Sequence, residues 1–105
     1  MQFIYITCNI SMLDNISELL DEIEIANYQV IEQVTAKSHY AQPRLNTAVW
    51  PGFNASVLVQ ENDQDKIDAL MTEVEAINSK AYNNGELIAA FQWGVDRFTK
   101  VKPIG

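Results

Sequence analysis

The chain has 105 residues, a formal net charge of -7, 48% hydrophobic residues and 20% charged residues. That length suits one compact domain with a single two-layer core, and the composition excludes a disordered or collagenous chain. An acidic balance without a lysine or arginine run repels phosphate backbones and anionic lipid surfaces, which argues against nucleic-acid binding. No stretch approaches the roughly 18 apolar residues of a membrane span.

The segment Phe3-Ile4-Tyr5-Ile6-Thr7-Cys8 is β-branched and aromatic and reads as a first strand buried on at least one face. Ser11 and Asp14 have the spacing of a capping pair, which predicts a helix starting there and ending near Asn27, with Ile16, Leu19, Leu20 and Ile23 on its apolar face. Tyr28 to Thr35 alternates apolar and polar residues and predicts a second strand with ambiguous faces. Phe53 to Gln60 predicts a third strand, begun after Pro51-Gly52, with Ala55, Val57 and Val59 opposite Leu58. Asn62 or Asp63 then caps a second helix with the stripe Ile67, Leu70, Met71, Val74 and Ile77. Asn83-Asn84-Gly85 supplies residues tolerant of positive φ, and Glu86 to Val95 follows as a fourth strand, with Leu87, Ala89, Phe91, Trp93 and Val95 on one face.

The order βαββαβ with right-handed crossovers predicts an α+β ferredoxin-like plait: a four-stranded antiparallel sheet with two helices on one face. The other sheet face is then uncovered. Phe3, Tyr5, Phe91 and Trp93 cannot all enter the helix-covered core, so a homo-oligomer is expected to bury them.

The charge pattern singles out one connection. From Gln33 to Gln60 there is no carboxylate, yet the interval holds Lys37, the only histidine (His39) and Arg44. Arg97, Lys100 and Lys102 form a second basic segment in the tail, so five of the seven basic residues lie in these two places. Arginine offers a bidentate fork to phosphate or carboxylate and lysine a point charge. Solvated loop and tail charge is the plainer reading of the same residues. His39 alone supplies one ligand where a zinc or copper site needs three or four, so a metal site requires several copies of the chain. Cys8 reads as a small core residue, because no neighbour in sequence lowers its pKa. Trp50, Phe53, Phe91 and Trp93 are core or interface residues first and an adenine-stacking surface second. The acidic pairs Asp21-Glu22, Asp63-Asp65 and Glu73-Glu75 read as helix faces and caps, and no catalytic constellation is present, so no enzymatic activity is expected. A lone cysteine and the absence of a basic segment leading into an apolar one give a cytoplasmic expectation, in which the N-x-S matches at Asn9, Asn15 and Asn54 have no glycosylation role.

Over nearly its whole length the chain resembles the PII signalling family. The resemblance rests on the βαββαβ order, on the long connection between strands two and three, and on Trp50-Pro51-Gly52-Phe53 before Ala55-Ser56-Val57-Leu58-Val59. A weaker match runs from Val74-Glu75-Ala76-Ile77 through Asn84-Gly85-Glu86-Leu87-Ile88 to Val95-Asp96-Arg97-Phe98. It implies a domain over residues 1–98, a T-loop equivalent at 36–52 and a tail at 99–105. It further implies a homotrimer that binds a small anion, an adenine nucleotide among the candidates, between subunits and signals to a protein partner through the loop. Lys37, His39, Arg44, Gly85, Arg97 and Lys100 are the candidate ligand-binding residues. Of the family's glycine- and lysine-rich phosphate cradle, Gly85 and Lys80 are the residues that correspond. The alternatives are a metal-responsive or metal-tolerance protein of the same fold using His39, and a dimeric plait enzyme of the small monooxygenase or isomerase kind with His39 or Tyr5 as proton carrier.

Overall fold

The computed structural model describes residues 1–105. Its elements run β1 (Gln2–Asn9), a 3-10 turn (Ile10–Met12), α1 (Leu13–Ile23), β2 (Asn27–Val34), β3 (Asn54–Glu61), α2 (Gln64–Ser79), a second 3-10 turn (Asn84–Glu86) and β4 (Ala89–Gly94). The sheet order is β2-β3-β1-β4 with every neighbouring pair antiparallel. This is the ferredoxin-like plait that the element order predicts.

Alternation along the central strands decides which side chains meet the helices. Ile4, Ile6 and Cys8 of β1 and Ala55, Val57 and Val59 of β3 are buried with Ile16, Leu19 and Leu20 of α1 and Ile67, Leu70 and Val74 of α2. The opposite residues of the same strands form an uncovered face. There Phe3 pairs with Trp93 and Tyr5 with Phe91, with ring centroids 5.0 and 6.5 Å apart, and the Tyr5 hydroxyl shares a 2.7 Å hydrogen bond with Ser56. The four aromatics therefore lie together outside the core. β2 sits at the sheet edge, and all its residues but Val34 are exposed. No helix is long and apolar enough to cross a membrane.

Three boundaries differ from expectation, each because a nearby backbone or side-chain partner intervenes. The Ser11–Asp14 capping pair does not form: Asn9 Oδ1 accepts from the Ser11 N–H, a 3-10 turn follows, and α1 starts at Leu13 without a side-chain cap. At its other end α1 stops at Ile23, earlier than Asn27. Glu24 takes a left-handed φ of 65°, its N–H donates to the Asp21 carbonyl, and the Ile25 N–H donates to the Leu20 carbonyl while Ile25 itself is buried. The fourth strand begins at Ala89 rather than Glu86. The Asn78 side chain grips Ile88 from both sides, donating from Nδ2 to its carbonyl at 2.9 Å and accepting from its N–H at 2.7 Å, so that the preceding residues turn instead of extending. The α2 cap is as expected, with Asp63 Oδ1 accepting from the Asp65 N–H.

Candidate functional site

The connection between β2 and β3 is folded on itself by backbone bonds. Ala36 and Arg44 exchange two, at 2.9 and 2.8 Å, which closes residues 37–43 into a protruding tip. Beyond it a tight turn forms: the Leu45 and Thr47 N–H groups donate to the Trp50 carbonyl, the Trp50 N–H donates to Thr47 Oγ1, and the Asn46 N–H donates to the Gly52 carbonyl. Asn46 and Gly52 carry the positive φ values, 55° and 83°, that this reversal demands.

Pairing with Ala36 fixes the Arg44 backbone, and its side chain runs into the body. Nη1 donates to Asn54 Oδ1 at 2.9 Å and Nη2 donates to the Gly85 carbonyl at 2.8 Å. Asn54, at the start of β3, is buried and donates from Nδ2 to Thr7 Oγ1 of β1 at 3.1 Å. One arginine therefore ties the loop to the sheet and to the turn before β4. Against that joint lies a cleft of about 410 Å³, lined by Tyr40 to Arg44, Pro51 and Asn83 to Gly85. Its lining includes one cation and no carboxylate.

Gly85 has a different reason to be glycine than the turn chemistry suggests, because its φ is not in the left-handed region. A Cβ there would lie 2.9 Å from Asn83 Oδ1 and 3.1 Å from Arg44 Nη2. The missing side chain makes room for the guanidinium.

Among the candidate residues, the structure brings Arg44 and Gly85 together. Lys37 and His39 share the loop but are exposed and lie outside the cleft lining; His39 stacks edge-on against Tyr40, with centroids 5.3 Å apart. Arg97 and Lys100 are exposed and follow β4, whose end pairs with Gln2, whereas Arg44 sits by Thr7 and Asn54. At ~3.3 Å per residue the tail leaves the sheet about 17 Å along β1 from Thr7. Within one chain none of Arg97, Lys100 and Lys102 lines the cleft beside Arg44. No group of three or more His, Cys, Asp or Glu side chains is arranged to hold a metal, so a site using His39 has to draw on other copies.

Sequence reasoning missed Thr7, Asn54, Asn78, Asn83 and Asn84. Asn54 carried no local signal: strand alternation places it on the uncovered face ahead of Ser56, where a solvated amide is ordinary, and its burial comes from distant partners. Those partners are 10 and 47 residues away in sequence.

Cys8, on the helix side of β1, is raised from its ordinary 9.0 to about 11, chiefly by burial, with the Arg44 charge pulling it back down. The unfolded thiol therefore loses its proton before the folded one. This contributes stability that is complete below pH 9, falls as the pH rises from about 9 to about 11 and is lost beyond that, a change of about 3 kcal/mol at most. Urea denaturation of wild type and Cys8→Ala at pH 8 and pH 10.5 checks it: the gap between the two proteins is expected to shrink at the higher pH, and an equal gap at both contradicts it.

No protein-family model matches the chain, and no curated protein matches it in sequence. Its fold does match solved structures. One is CPII, a nitrogen regulatory PII-like protein from Thiomonas intermedia bound to ADP, AMP and bicarbonate, at 10% identity and a TM-score of 0.62, covering 91% of this chain and 88% of that one. The same protein bound to ADP and bicarbonate gives 9% identity and a TM-score of 0.65 over the same shares. A protein from Thermus thermophilus classed as PII-like and signalling gives 10% identity and 0.57, covering 88% and 83%. At these identities the likeness establishes the PII-like fold.

Proposed function

We propose that this chain is a PII-like regulatory protein, a homotrimer that binds a small anion in its intersubunit clefts and reports occupancy to a protein partner through loop 36–52. The observation that carries the reading is the Arg44 joint. The same cation that bonds the loop to the Gly85 turn faces a cleft without carboxylates, so an anion there competes with or completes the contacts that hold the loop. The structural neighbour bound to ADP, AMP and bicarbonate makes adenine nucleotides and small carboxylate-like anions the first candidates. Lys37, His39, Arg97 and Lys100 enter on this reading as charges contributed around the cleft once the tail of one copy meets the loop of another. The uncovered aromatics Phe91 and Trp93, 55% and 47% exposed, supply the apolar surface for such an assembly. The role is ligand sensing in the cytoplasm without catalysis.

Calorimetric titration with ADP, AMP, bicarbonate and acetate, alongside sedimentation analysis, tests this. Arg44→Ala is expected to weaken binding about 10- to 100-fold, the range of one charge-assisted contact. No heat with any of the four ligands, or undiminished affinity in Arg44→Ala, defeats the ligand-sensing reading. A face-to-face dimer in place of a trimer favours the plait-enzyme alternative.

A further inference from the structure

We infer that Asn54 is a positioning residue of the site: it fixes the Arg44 guanidinium in place while leaving its charge uncompensated for an incoming carboxylate-type anion. The inference rests on the anion-binding reading above and names the residue that keeps the site competent.

Three observations converge on it. Asn54 is 7% exposed, so its amide is a buried polar group with both ends committed: Oδ1 to Arg44 Nη1 at 2.9 Å and Nδ2 to Thr7 Oγ1 at 3.1 Å. Arginine offers only donors, so the amide oxygen must face Arg44, and the Thr7 hydroxyl, able to accept as well as donate, takes the Nδ2 end; the guanidinium determines the orientation. Second, the side-chain partners of Arg44 are neutral, an amide oxygen and the Gly85 carbonyl, in a chain with 14 carboxylates. An aspartate has the same shape as Asn54 and would tie Arg44 at least as firmly through a charge-assisted bond. If tethering the loop were the whole purpose, the carboxylate would serve it better; the amide tethers without cancelling the charge. Third, one N–H on Nη1 and one on Nη2 are used, which leaves the remaining guanidinium donors for a ligand beside a cleft whose lining adds no negative charge.

Asn54→Asp separates this role from a structural one. Its carboxylate can accept from Arg44 and, with the Thr7 hydroxyl reversed to donate, keep both bonds. Full-length Asn54→Asp is expected to unfold at or above the wild-type temperature while its affinity for bicarbonate, acetate and AMP falls about tenfold or more. Thr7→Val, which loses the hydroxyl, is expected to weaken the same ligands a few-fold, and Thr7→Ser, which restores it, to return wild-type affinity; this pair carries the test if Asn54→Asp fails to fold. Wild-type affinity in a folded Asn54→Asp, or equal affinities in Thr7→Val and Thr7→Ser, overturns the positioning role and leaves the anion site standing. Failure of the wild type to bind any of the three probes removes the anion reading and this inference with it.

Discussion

Ile6→Ala is expected to lower the unfolding free energy by about 2–5 kcal/mol, read as an earlier urea midpoint with an unchanged slope. Ile6 is fully buried on the central strand β1, between Val57 of β3 and Ala90 of β4, where the flanking sheet cannot collapse into the space a removed side chain leaves. Only 16 of 105 residues are buried, so the core is small and each of its members carries a large share of a total of about 5–15 kcal/mol. Phe91→Ser, from the other face of the same sheet, gives the informative contrast. In an isolated chain that ring is already half in water and its loss costs little; in an assembly that covers the face it removes apolar contact from every subunit. Its destabilisation is therefore expected to depend on protein concentration, whereas that of Ile6→Ala is expected at any concentration. A Phe91→Ser penalty that does not vary with concentration argues against burial of this face between copies.

The difference between those faces was readable before the fold was known, because a period of two is local. Ala55, Val57 and Val59 announce one side of β3, and the stripe Ile67, Leu70 and Val74 announces the side of α2 that meets it. β2 gave no clear faces for a physical reason: it is an edge strand with little over it, so neither set of side chains was under pressure to be apolar. Capping chemistry was legible at Asp63 but misleading at Ser11, where Asn9 takes the N–H first. The site was half legible. Charge bookkeeping finds Arg44, since it needs only a count along the chain, but the partners that make it a joint come from β1, β3 and the turn before β4. Gly85 was found as a candidate through the resemblance to the family's phosphate cradle; what it provides here, space for a guanidinium 41 residues away, has no local signature.

Asn78→Ala is expected to cost about 2–6 kcal/mol, a large effect for a polar residue in the last turn of a helix. The side chain supplies both partners of Ile88, whose N–H and carbonyl flank a residue only 4% exposed. Removing the amide leaves a buried donor and a buried acceptor unpaired together, at about 1–3 kcal/mol each. Asn78→Asp keeps the bond from the Ile88 N–H but sets a carboxylate oxygen against the Ile88 carbonyl, so conservative shape is not expected to rescue it. The loss reaches the site through the chain itself. Ile88 anchors the segment Asn84–Leu87, and the Gly85 carbonyl in that segment is one of the two side-chain contacts of Arg44. Amide exchange in Asn78→Ala, measured well below its melting temperature, is therefore expected to quicken at Ile88 and Leu87 and spread to Ala36 and Arg44 across the joint. Faster exchange confined to Leu87 and Ile88, with the loop amides still protected, would show that Asn54 is sufficient to hold the Arg44 side chain and that the Gly85 contact is dispensable.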